Sequence, residues 1–317
     1  MGKELLITGA AGFAGSHQVD KAIGDGKPVV AQVRASSNLE NLQDSLNSEN
    51  LTLARLDLTD KQHVQQLIET HKPRIVIHLA AQSNVDHSIA NPQETIANNF
   101  NSTLNLLEAV RKHSPGAIVI LTGSSHEYGP NHANPLKEGM SLNPQNPYAV
   151  SKVLESLLMA IYQGGGIKVI KARIFNHCGP RRADNFSDGE LVRAAVEAKK
   201  LGKKWLVEVG SKEYARDWQH VENWNSANLV LAKSGEVGQT YNVCSGKPRS
   251  IAELIEAITS TLGLQVEIVE NSQLLRPSDV LKVWGDNTKL KRLGWKPGKN
   301  FEQMVEETIA WWLNKET

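Results

Sequence analysis

The sequence lacks the features that mark secreted, disulfide-rich and membrane-spanning proteins. Cys178 and Cys244 are its only cysteines in 317 residues, too few for a disulfide framework or a cysteine-ligated zinc site. Such low cysteine usage fits a reducing compartment. No apolar run reaches the roughly 18 residues of a membrane-spanning helix, and the first residues do not resemble a signal peptide. We therefore expect a cytoplasmic protein that does not bind membranes.

An excess of one charge sign is also missing. Lys and Arg together number 35 and Asp and Glu 34, so the formal net charge of +1 gives no global field that would hold nucleic acid. The ten histidines show no ligand spacing, and we expect no metal. Hydrophobic residues make up 40% of the chain and charged ones 22%, which is typical of a compact globular protein.

Short apolar runs alternate with amphipathic segments through the first half of the chain. This alternation is typical of the α/β class, here a doubly wound parallel sheet, or Rossmann fold. The predicted strands are 5–8, 29–33, 51–56, 75–79, 117–121 and 167–174. After about residue 176 the pattern loosens, with helices predicted at 190–201, 251–262 and 301–313. We expect a main domain at 1–175 and 217–245, and a smaller one at 176–216 and 246–317.

A glycine-rich turn follows the first predicted strand and opens a helix. It reads Thr8-Gly-Ala-Ala-Gly-Phe-Ala-Gly-Ser16. Gly9 permits the tight turn, Gly12 lets the backbone approach a pyrophosphate, and Gly15 lets helix and strand pack closely. Phe13 and Ala14 then belong to the same cofactor-binding turn. The alternative is a glycine-rich turn without a ligand, which the order strand, turn and helix disfavours.

The end of the second strand distinguishes NADP from NAD. An acid usually stands about 20 residues after the glycines in NAD-binding versions, but here the chain reads Gln32-Val-Arg-Ala-Ser-Ser37. Arg34 with the hydroxyls of Ser36 and Ser37 could hold a 2′-phosphate, so we favour NADP(H). Arg34 could equally be a solvated surface charge. Asp57, beside Leu58, could bond the adenine amine or simply cap a strand end.

A Tyr-x-x-x-Lys pair, Tyr148 and Lys152, places a phenol and an ammonium group on one helical face. The spacing alone is weak evidence, but Pro147 starts the helix and Ser124 follows the preceding strand. Together these groups would lie at the carboxyl edge of the sheet. A phenol can move the proton that accompanies hydride transfer. Lowering its pKa towards neutrality would need the neighbouring ammonium group and a cationic nicotinamide.

Several motifs in one order resemble the extended short-chain dehydrogenase/reductase family of nucleotide-sugar enzymes. They are TGAAGFAG at 8–15, HLAAQ at 78–82, GSSHEYG at 123–129, PYAVSK at 147–152, ARIFNHCGPRR at 172–182, YNVCSG at 241–246, RPSDV at 276–280 and GDNTKLKRLGWKP at 285–297. The sequence is most similar to the GDP-mannose branch, which includes 4,6-dehydratases and the 4-keto-6-deoxy-mannose reductases that form GDP-D-rhamnose.

The resemblance implies roles for particular residues. Ser124, Tyr148 and Lys152 match the catalytic residues, and the last two also contact the cofactor. Leu79, Ala80, Ala81 and Asn99 would lie along its nicotinamide half. The residues expected to bind the nucleotide sugar are Gln82, Ser125, Asn176, Arg181, Arg216 and Arg276, although each arginine alone could be a surface charge. The family also commonly pairs two helices per subunit, here near 95–112 and 149–163, which implies a homodimer.

One departure separates reductase from dehydratase. Dehydratases of the family carry an essential Glu where this chain has His126, and Glu127 after it should turn away from the site. We therefore expect an NADPH-dependent reductase acting on the C4 ketone of a GDP-linked 4-keto-6-deoxyhexose, with His126 as a further titratable group. The alternatives are a GDP-mannose 4,6-dehydratase, which the Arg181-Arg182 and Arg216-Asp217-Trp218 motifs favour, a C4 epimerase, and a non-catalytic NADP-binding module.

Overall fold

The fold is that of a computed structural model, which describes residues 5–130, 133–184, 186–275 and 280–315. The strands of these residues are β1 (Leu5–Thr8), β2 (Val29–Val33), β3 (Leu51–Arg55), β4 (Ile75–His78), β5 (Ile118–Ser124), β6 (Lys168–Ile174), β7 (His177–Cys178), β8 (Trp205–Val209), β9 (Ala215–Arg216), β10 (Gln219–His220), β11 (Thr240–Val243), β12 (Arg249–Ser250), β13 (Val266–Glu270) and β14 (Lys282–Val283). The α-helices are α1 (Phe13–Gly24), α2 (Lys61–His71), α3 (Val85–Ala90), α4 (Pro92–His113), α5 (Pro147–Gly164), α6 (Ser187–Lys200), α7 (Val221–Ser234), α8 (Ile251–Leu262), α9 (Thr288–Arg292) and α10 (Phe301–Asn314). Short 3₁₀ turns span Glu40–Ser45, Ser125–Glu127 and Ser272–Leu274.

Seven parallel strands form the central sheet in the order β11-β6-β5-β4-β1-β2-β3. This confirms the doubly wound α/β fold. The six strands expected from the sequence are all present, and β11 is a seventh that the apolar pattern did not reveal. The order reverses between β1 and β4, and ligands of open α/β sheets bind at such a switch point, beyond the carboxyl ends of the strands.

Helices cover both faces of the sheet because its strands are apolar on both sides. α2, α4 and α5 pack on one face in a cluster that includes Leu107 and Leu158. On the other face, α1 packs with β1 and β2, and α7 packs with β6 and β11 around Trp224. The sheet therefore holds the turns at its carboxyl edge between two rigid layers.

A separate apolar cluster lies in the C-terminal half, where α6, α8 and α10 pack on β8 and β13. α8 shows how local chemistry fixes an element: Ser250 and Glu253 form a reciprocal cap at its start, and Gly263 with φ of +58° ends it. Leu290 and Trp295, by contrast, pack in the apolar cluster around Trp224 on the central sheet. The expected division into two domains stays a prediction. Within the described residues, no helix is both long enough and apolar enough to cross a membrane.

Candidate active site

The turn between β1 and α1 is shaped for an anion held by backbone amides. Gly9 has φ of +64°, and a Cβ there would lie 2.8 Å from the Cα of Ala80. A Cβ on Gly15 would clash with the carbonyl oxygen of Gly9, so glycine is needed for α1 to come this close. α1 begins after Gly12 with no side-chain cap from the described residues and no acid in its first turn. Its uncapped amides fit a dinucleotide pyrophosphate.

The turn is braced from β2 by Gln32. The amide of Gly9 donates to Gln32 Oε1 at 3.0 Å, and Gln32 Nε2 donates to the carbonyl of Leu56 at 2.8 Å. Gln32 thus ties the glycine-rich turn to the segment that follows β3. An acidic side chain at this place could not donate the second of these hydrogen bonds when ionised.

The residues expected at the adenosine end lie beyond β2 and β3. The side chains of Arg34 and Ser36 are exposed, and the Ser37 hydroxyl accepts a hydrogen bond from the Arg34 amide at 3.1 Å. Asp57 accepts from both the amide and the hydroxyl of Thr59, and Leu58 is buried. Asp57 therefore has the capping contacts that the sequence left open as its alternative role.

Hydrogen bonds also fix the start of the segment after β4, where Leu79 and Ala80 lie. Both amides donate to Thr8 Oγ1, which leaves the Thr8 hydroxyl to donate to His78 Nδ1 at 2.8 Å. The other ring nitrogen of His78 then donates to Thr103 Oγ1 at 3.1 Å. Burial, reinforced by the charge of Lys152, lowers the pKa of His78 to about 3, so the ring is neutral.

Asn99 on α4 connects this segment to α5. Its side-chain oxygen accepts from the amide of Gln82 at 2.8 Å, and its side-chain nitrogen donates to the Gln82 carbonyl at 3.0 Å and to Ser151 Oγ at 2.9 Å. Ala81 lies between the two fixed points. Asn99 is fully buried, so its amide acts here as a rigid clamp between the segment and the helix.

Ser124, His126, Tyr148 and Lys152, called the catalytic cluster below, are brought together at the carboxyl end of β5. α5 begins at Pro147 because the Asn146 side chain caps the amide of Ala149, and Tyr148 therefore enters the site one residue into the helix. The ring centroids of His126 and Tyr148 are 6.1 Å apart. Lys152 is 3% exposed and lies one turn further along the buried face of α5.

The chain's own residues keep the Tyr148 phenol protonated. Burial raises its pKa and outweighs the positive charge of Lys152 and a hydrogen bond with Ser124, both of which lower it. Burial alone would lower the pKa of Lys152, but Glu155 and Tyr148 raise it above its usual value. At neutral pH the pair is a neutral phenol next to an ammonium ion, which is the state of a proton donor.

Glu127 is held in buried ion pairs, and its charge still raises the pKa of the nearby Tyr148. The segment Ser125–Glu127 is a 3₁₀ turn rather than an extended strand, and Glu127 accepts the amide of Ser124 at 2.8 Å. The carboxylate is fully buried against Lys171 at 3.2 Å and Arg173 at 3.1 Å. Burial would raise its pKa, but these two cations lower it.

Sequence reasoning missed Glu155, Lys171 and Arg173. Lys152 Nζ donates to Glu155 at 2.9 Å, and all three missed residues are buried. A signal was available, because Lys171 and Arg173 stand two residues apart in β6, whose other residues after the exposed Lys168 are apolar. Two cations on one face of a buried strand require buried anionic partners.

Gln82 also lines a cavity of about 400 Å³ next to the segment after β4. The other lining residues are Ser83, Asn84, His87 and Phe186. The Arg182 guanidinium stacks 3.9 Å from the Phe186 ring centroid and is held by Asp188. Ser125, after β5, and Asn176, after β6, are half-buried.

The arginines expected to bind a diphosphate differ in their hydrogen-bond and ion-pair partners. Arg181 is paired with Asp20 on α1 and lies 3.6 Å from Asp44, so its guanidinium is directed at α1. Arg216 donates to the carbonyl of Val280 at 2.8 Å. Arg276 lies outside the described residues. The diphosphate contacts of all three stay predictions.

One group of possible metal ligands, His220, Glu222 and Glu307, lies away from the catalytic cluster in sequence. Lys299 Nζ is 2.9 Å from Glu222 Oε1 and 2.7 Å from Glu307 Oε2, and thus supplies the positive charge that a metal would bring. His220 Nδ1 accepts the Glu222 amide at 3.1 Å, so this ring nitrogen is already used.

A family model described as GDP-mannose 4,6 dehydratase matches residues 6–308. The chain belongs to this family. It is 31% identical to GDP-6-deoxy-D-mannose reductase of Pseudomonas aeruginosa over 99% of each sequence. The structure of RMD from Pseudomonas aeruginosa complexed with NADPH matches with a TM-score of 0.83 at 30% identity, over 99% of this chain and 98% of that one.

The fold also matches that of a solved epimerase, with a slightly higher TM-score. UDP-glucose 4-epimerase of Thermotoga maritima with UDP-glucose matches with a TM-score of 0.87 at 27% identity, over 97% of this chain and 98% of that one. The resemblance to extended short-chain dehydrogenase/reductases is thereby confirmed. The chain is an NAD(P)-dependent enzyme of the class that converts nucleotide sugars by dehydration, reduction or epimerisation.

Proposed function

We propose that this enzyme reduces the C4 ketone of a GDP-linked 4-keto-6-deoxyhexose with NADPH and forms a GDP-D-rhamnose-type product. The observation that carries the proposal is the arrangement of the catalytic cluster. Tyr148 is a buried phenol one helical turn from the buried Lys152, and the nearby carboxylate, Glu127, is paired with Lys171 and Arg173. This set can donate one proton to an alkoxide.

NADPH, when bound, supplies the hydride. Tyr148 gives its proton to the oxygen on which negative charge develops, and the Ser124 hydroxyl hydrogen-bonds the same oxygen. Lys152 stabilises the resulting phenolate through its positive charge. His126, exposed at the edge of the cluster, relays protons between Tyr148 and solvent.

The 2′-phosphate of NADPH is assigned to Arg34, Ser36 and Ser37. Their side-chain atoms lie at the end of β2, where Gln32 rather than an acid braces the glycine-rich turn. Arg34→Asp is expected to raise the Kd for NADPH at least tenfold while changing that for NADH little, because only NADPH has the extra phosphate. Fluorescence titration of both cofactors measures this, and equal effects on both would contradict the assignment.

The substrate side is assigned by similarity. GDP as the nucleotide follows the reductase of Pseudomonas aeruginosa, and Gln82, Ser125, Asn176, Arg181, Arg216 and Arg276 are proposed to bind the nucleotide sugar. The family match and the Arg181-Arg182 and Arg216-Asp217-Trp218 motifs favour a GDP-mannose 4,6-dehydratase as the second candidate. Its weakness is that elimination needs another acid/base beside Tyr148, where the chain offers His126.

We also propose a homodimer through α4 and α5. Leu157 and Ile161, one turn apart on α5, are 58% and 68% exposed. Large apolar side chains exposed at helical spacing, on a helix whose opposite face packs on the sheet, fit a helix-pairing interface.

The proposal is tested by following NADPH absorbance after the enzyme is added to GDP-4-keto-6-deoxy-D-mannose, with GDP-mannose as the control substrate. The expected result is loss of NADPH with the ketosugar alone. Formation of the ketosugar from GDP-mannose, without net change in cofactor, would instead identify a dehydratase.

A further inference from the structure

A buried ammonium group lies directly behind the catalytic cluster. Lys171 on β6 is fully buried, and its Nζ contacts three oxygen atoms: the carbonyl of Lys152, the hydroxyl of Ser156 and, at 3.2 Å, Oε1 of Glu127. An ammonium group has three N–H donors and no acceptor. Three acceptors around Nζ therefore match the charged form of Lys171. Burial lowers the pKa of Lys171, and the charges of Glu127 and Glu155 oppose that effect.

These contacts connect Ser124 to Lys152, two members of the catalytic cluster. Glu127 accepts the amide of Ser124 at 2.8 Å and the hydroxyl of Ser156 at 3.0 Å. Lys171 binds Glu127 on one side and the backbone of Lys152 on the other. Ser124 on β5 and Lys152 on α5 are thus held in a fixed relation through one side chain from a third element.

The neighbouring glycine is explained by the same side chain. Gly123 lies in β5 and has no positive φ that would require glycine. A Cβ at this position would clash with Cε of Lys171 and would lie 2.5 Å from Glu127 Oε1. Gly123 thus leaves the space through which Lys171 reaches Glu127.

The buried charges behind Tyr148 do not cancel. Three cations, Lys152, Lys171 and Arg173, face two carboxylates, Glu127 and Glu155, so the formal sum is +1. Among the described residues, the other titratable groups near this end are His126 on the 3₁₀ turn, Asp86 and His87 on α3 and Glu94 on α4, which are exposed. His78 and Tyr128 are buried there, and burial favours the neutral form of both. A buried positive charge lowers the free energy of a phenolate more than solvated groups alter it.

We propose that Lys171 is a positioning residue of the active site, which holds Ser124 and Lys152 in register and contributes to the net positive charge that stabilises ionised Tyr148. The inference rests on Tyr148 acting as the acid of the proposed function. It does not depend on which nucleotide sugar is reduced.

The test uses the full-length protein saturated with NADP⁺ and needs no sugar. Tyr148 ionisation is followed by the ultraviolet absorbance of tyrosinate as the pH is raised, and Tyr148→Phe identifies its signal by difference. Loss of a nearby buried charge shifts a pKa by about 1 unit or more, so Lys171→Met should raise the pKa of Tyr148 by at least that amount. Lys171→Arg keeps the charge, so it should bring the pKa of Tyr148 most of the way back to the value in the unaltered enzyme.

Lys168→Met is the matched control, because Lys168 lies on the same strand but is exposed. It should titrate like the unaltered enzyme. Ser156→Ala, a milder change that removes one acceptor of Lys171, should give a smaller shift of the same sign and decides the matter if Lys171→Met does not fold. An unchanged Tyr148 titration in Lys171→Met, or in Ser156→Ala where that variant has to decide, would overturn the proposal. If the pKa of Tyr148 shifts as expected in Lys171→Met but the enzyme turns over no ketosugar, only the proposed function is contradicted.

Discussion

At the scale of single residues, Tyr148 carries the proton-transfer chemistry. Replacing it by Phe removes the acid but keeps the ring, so turnover should fall by about 10²- to 10⁴-fold while the Kd for NADPH changes little. Steady-state rates and fluorescence titration of NADPH measure the two effects separately.

Tyr162→Phe is the internal control for that experiment. Tyr162 stands near the end of the same helix, and its hydroxyl donates to Glu108 on α4, away from the cluster. Its loss should leave turnover close to that of the unaltered enzyme. Equal turnover in both variants would remove Tyr148 from the mechanism.

Gly15 tests the cofactor turn. Gly15→Ala places a Cβ against the carbonyl oxygen of Gly9, and overpacking of this kind costs about 1–3 kcal/mol and moves the backbone. We expect NADPH binding to be lost or weakened at least tenfold. Gly24→Ala, at the open end of the same helix, meets no atom within 4 Å and should bind NADPH normally. Titration of NADPH checks both, and tight binding by Gly15→Ala would contradict this account of the turn.

The residues that were found from sequence are those whose role follows from local order along the chain. The glycines open a helix directly after a strand, and Tyr148 and Lys152 are one helical turn apart. Lys171 was missed because its partners come from other segments of the chain. Glu155 pairs with Lys152 on the same helix, and it was missed because the sequence does not show that both lie on the buried face. The pairing of β5 with β6 sets Lys171 beside Leu121, and nothing in the local sequence specifies that register.

At the scale of elements, His78 joins β4 to β1 and α4, and it should make stability depend on pH. Its pKa in the folded chain is about 3, below the ordinary value of 6.5. The neutral ring is therefore favoured by folding, and its contribution is complete above pH 6.5 and is lost as the pH falls towards 3. In that range the free energy of unfolding should drop by about 1.4 kcal/mol per pH unit for this one proton.

Urea unfolding at several pH values measures this slope. Gln cannot titrate, so in His78→Gln the free energy of unfolding should change less steeply with pH, by about the contribution of one proton. This holds even if the variant is less stable at every pH. An identical slope in His78→Gln would show that His78 does not resist protonation.

Elements with strong boundary chemistry were predicted closely, and weakly marked ones were not. The expected helix at 251–262 agrees with α8 because the Ser250 cap and Gly263 fix both ends. β11 is as short as β1 and β4, but its sequence Thr-Tyr-Asn-Val lacks the run of three apolar residues that marks those strands. Its place at the edge of the sheet comes from pairing with β6, which only the folded chain provides.

At the scale of the whole molecule, the exposed apolar side chains of α5 predict self-association. Ile161→Lys should convert a dimer into a monomer, because it places a charge in the centre of the proposed interface. Light scattering at a fixed protein concentration measures the mass. Leu313→Lys changes an exposed leucine on α10 and should leave the mass unaltered. A monomer before any substitution would reject the interface.

The central claim is net transfer of a hydride from NADPH to C4 of the sugar. The most direct measurement is the mass of the product formed from GDP-4-keto-6-deoxy-D-mannose and NADPH dideuterated at C4 of the nicotinamide. The account predicts one deuterium at C4 of the hexose for each NADPH consumed. A product without deuterium, or conversion without consumption of NADPH, would contradict it and would indicate internal return of the hydride, as in dehydration or epimerisation.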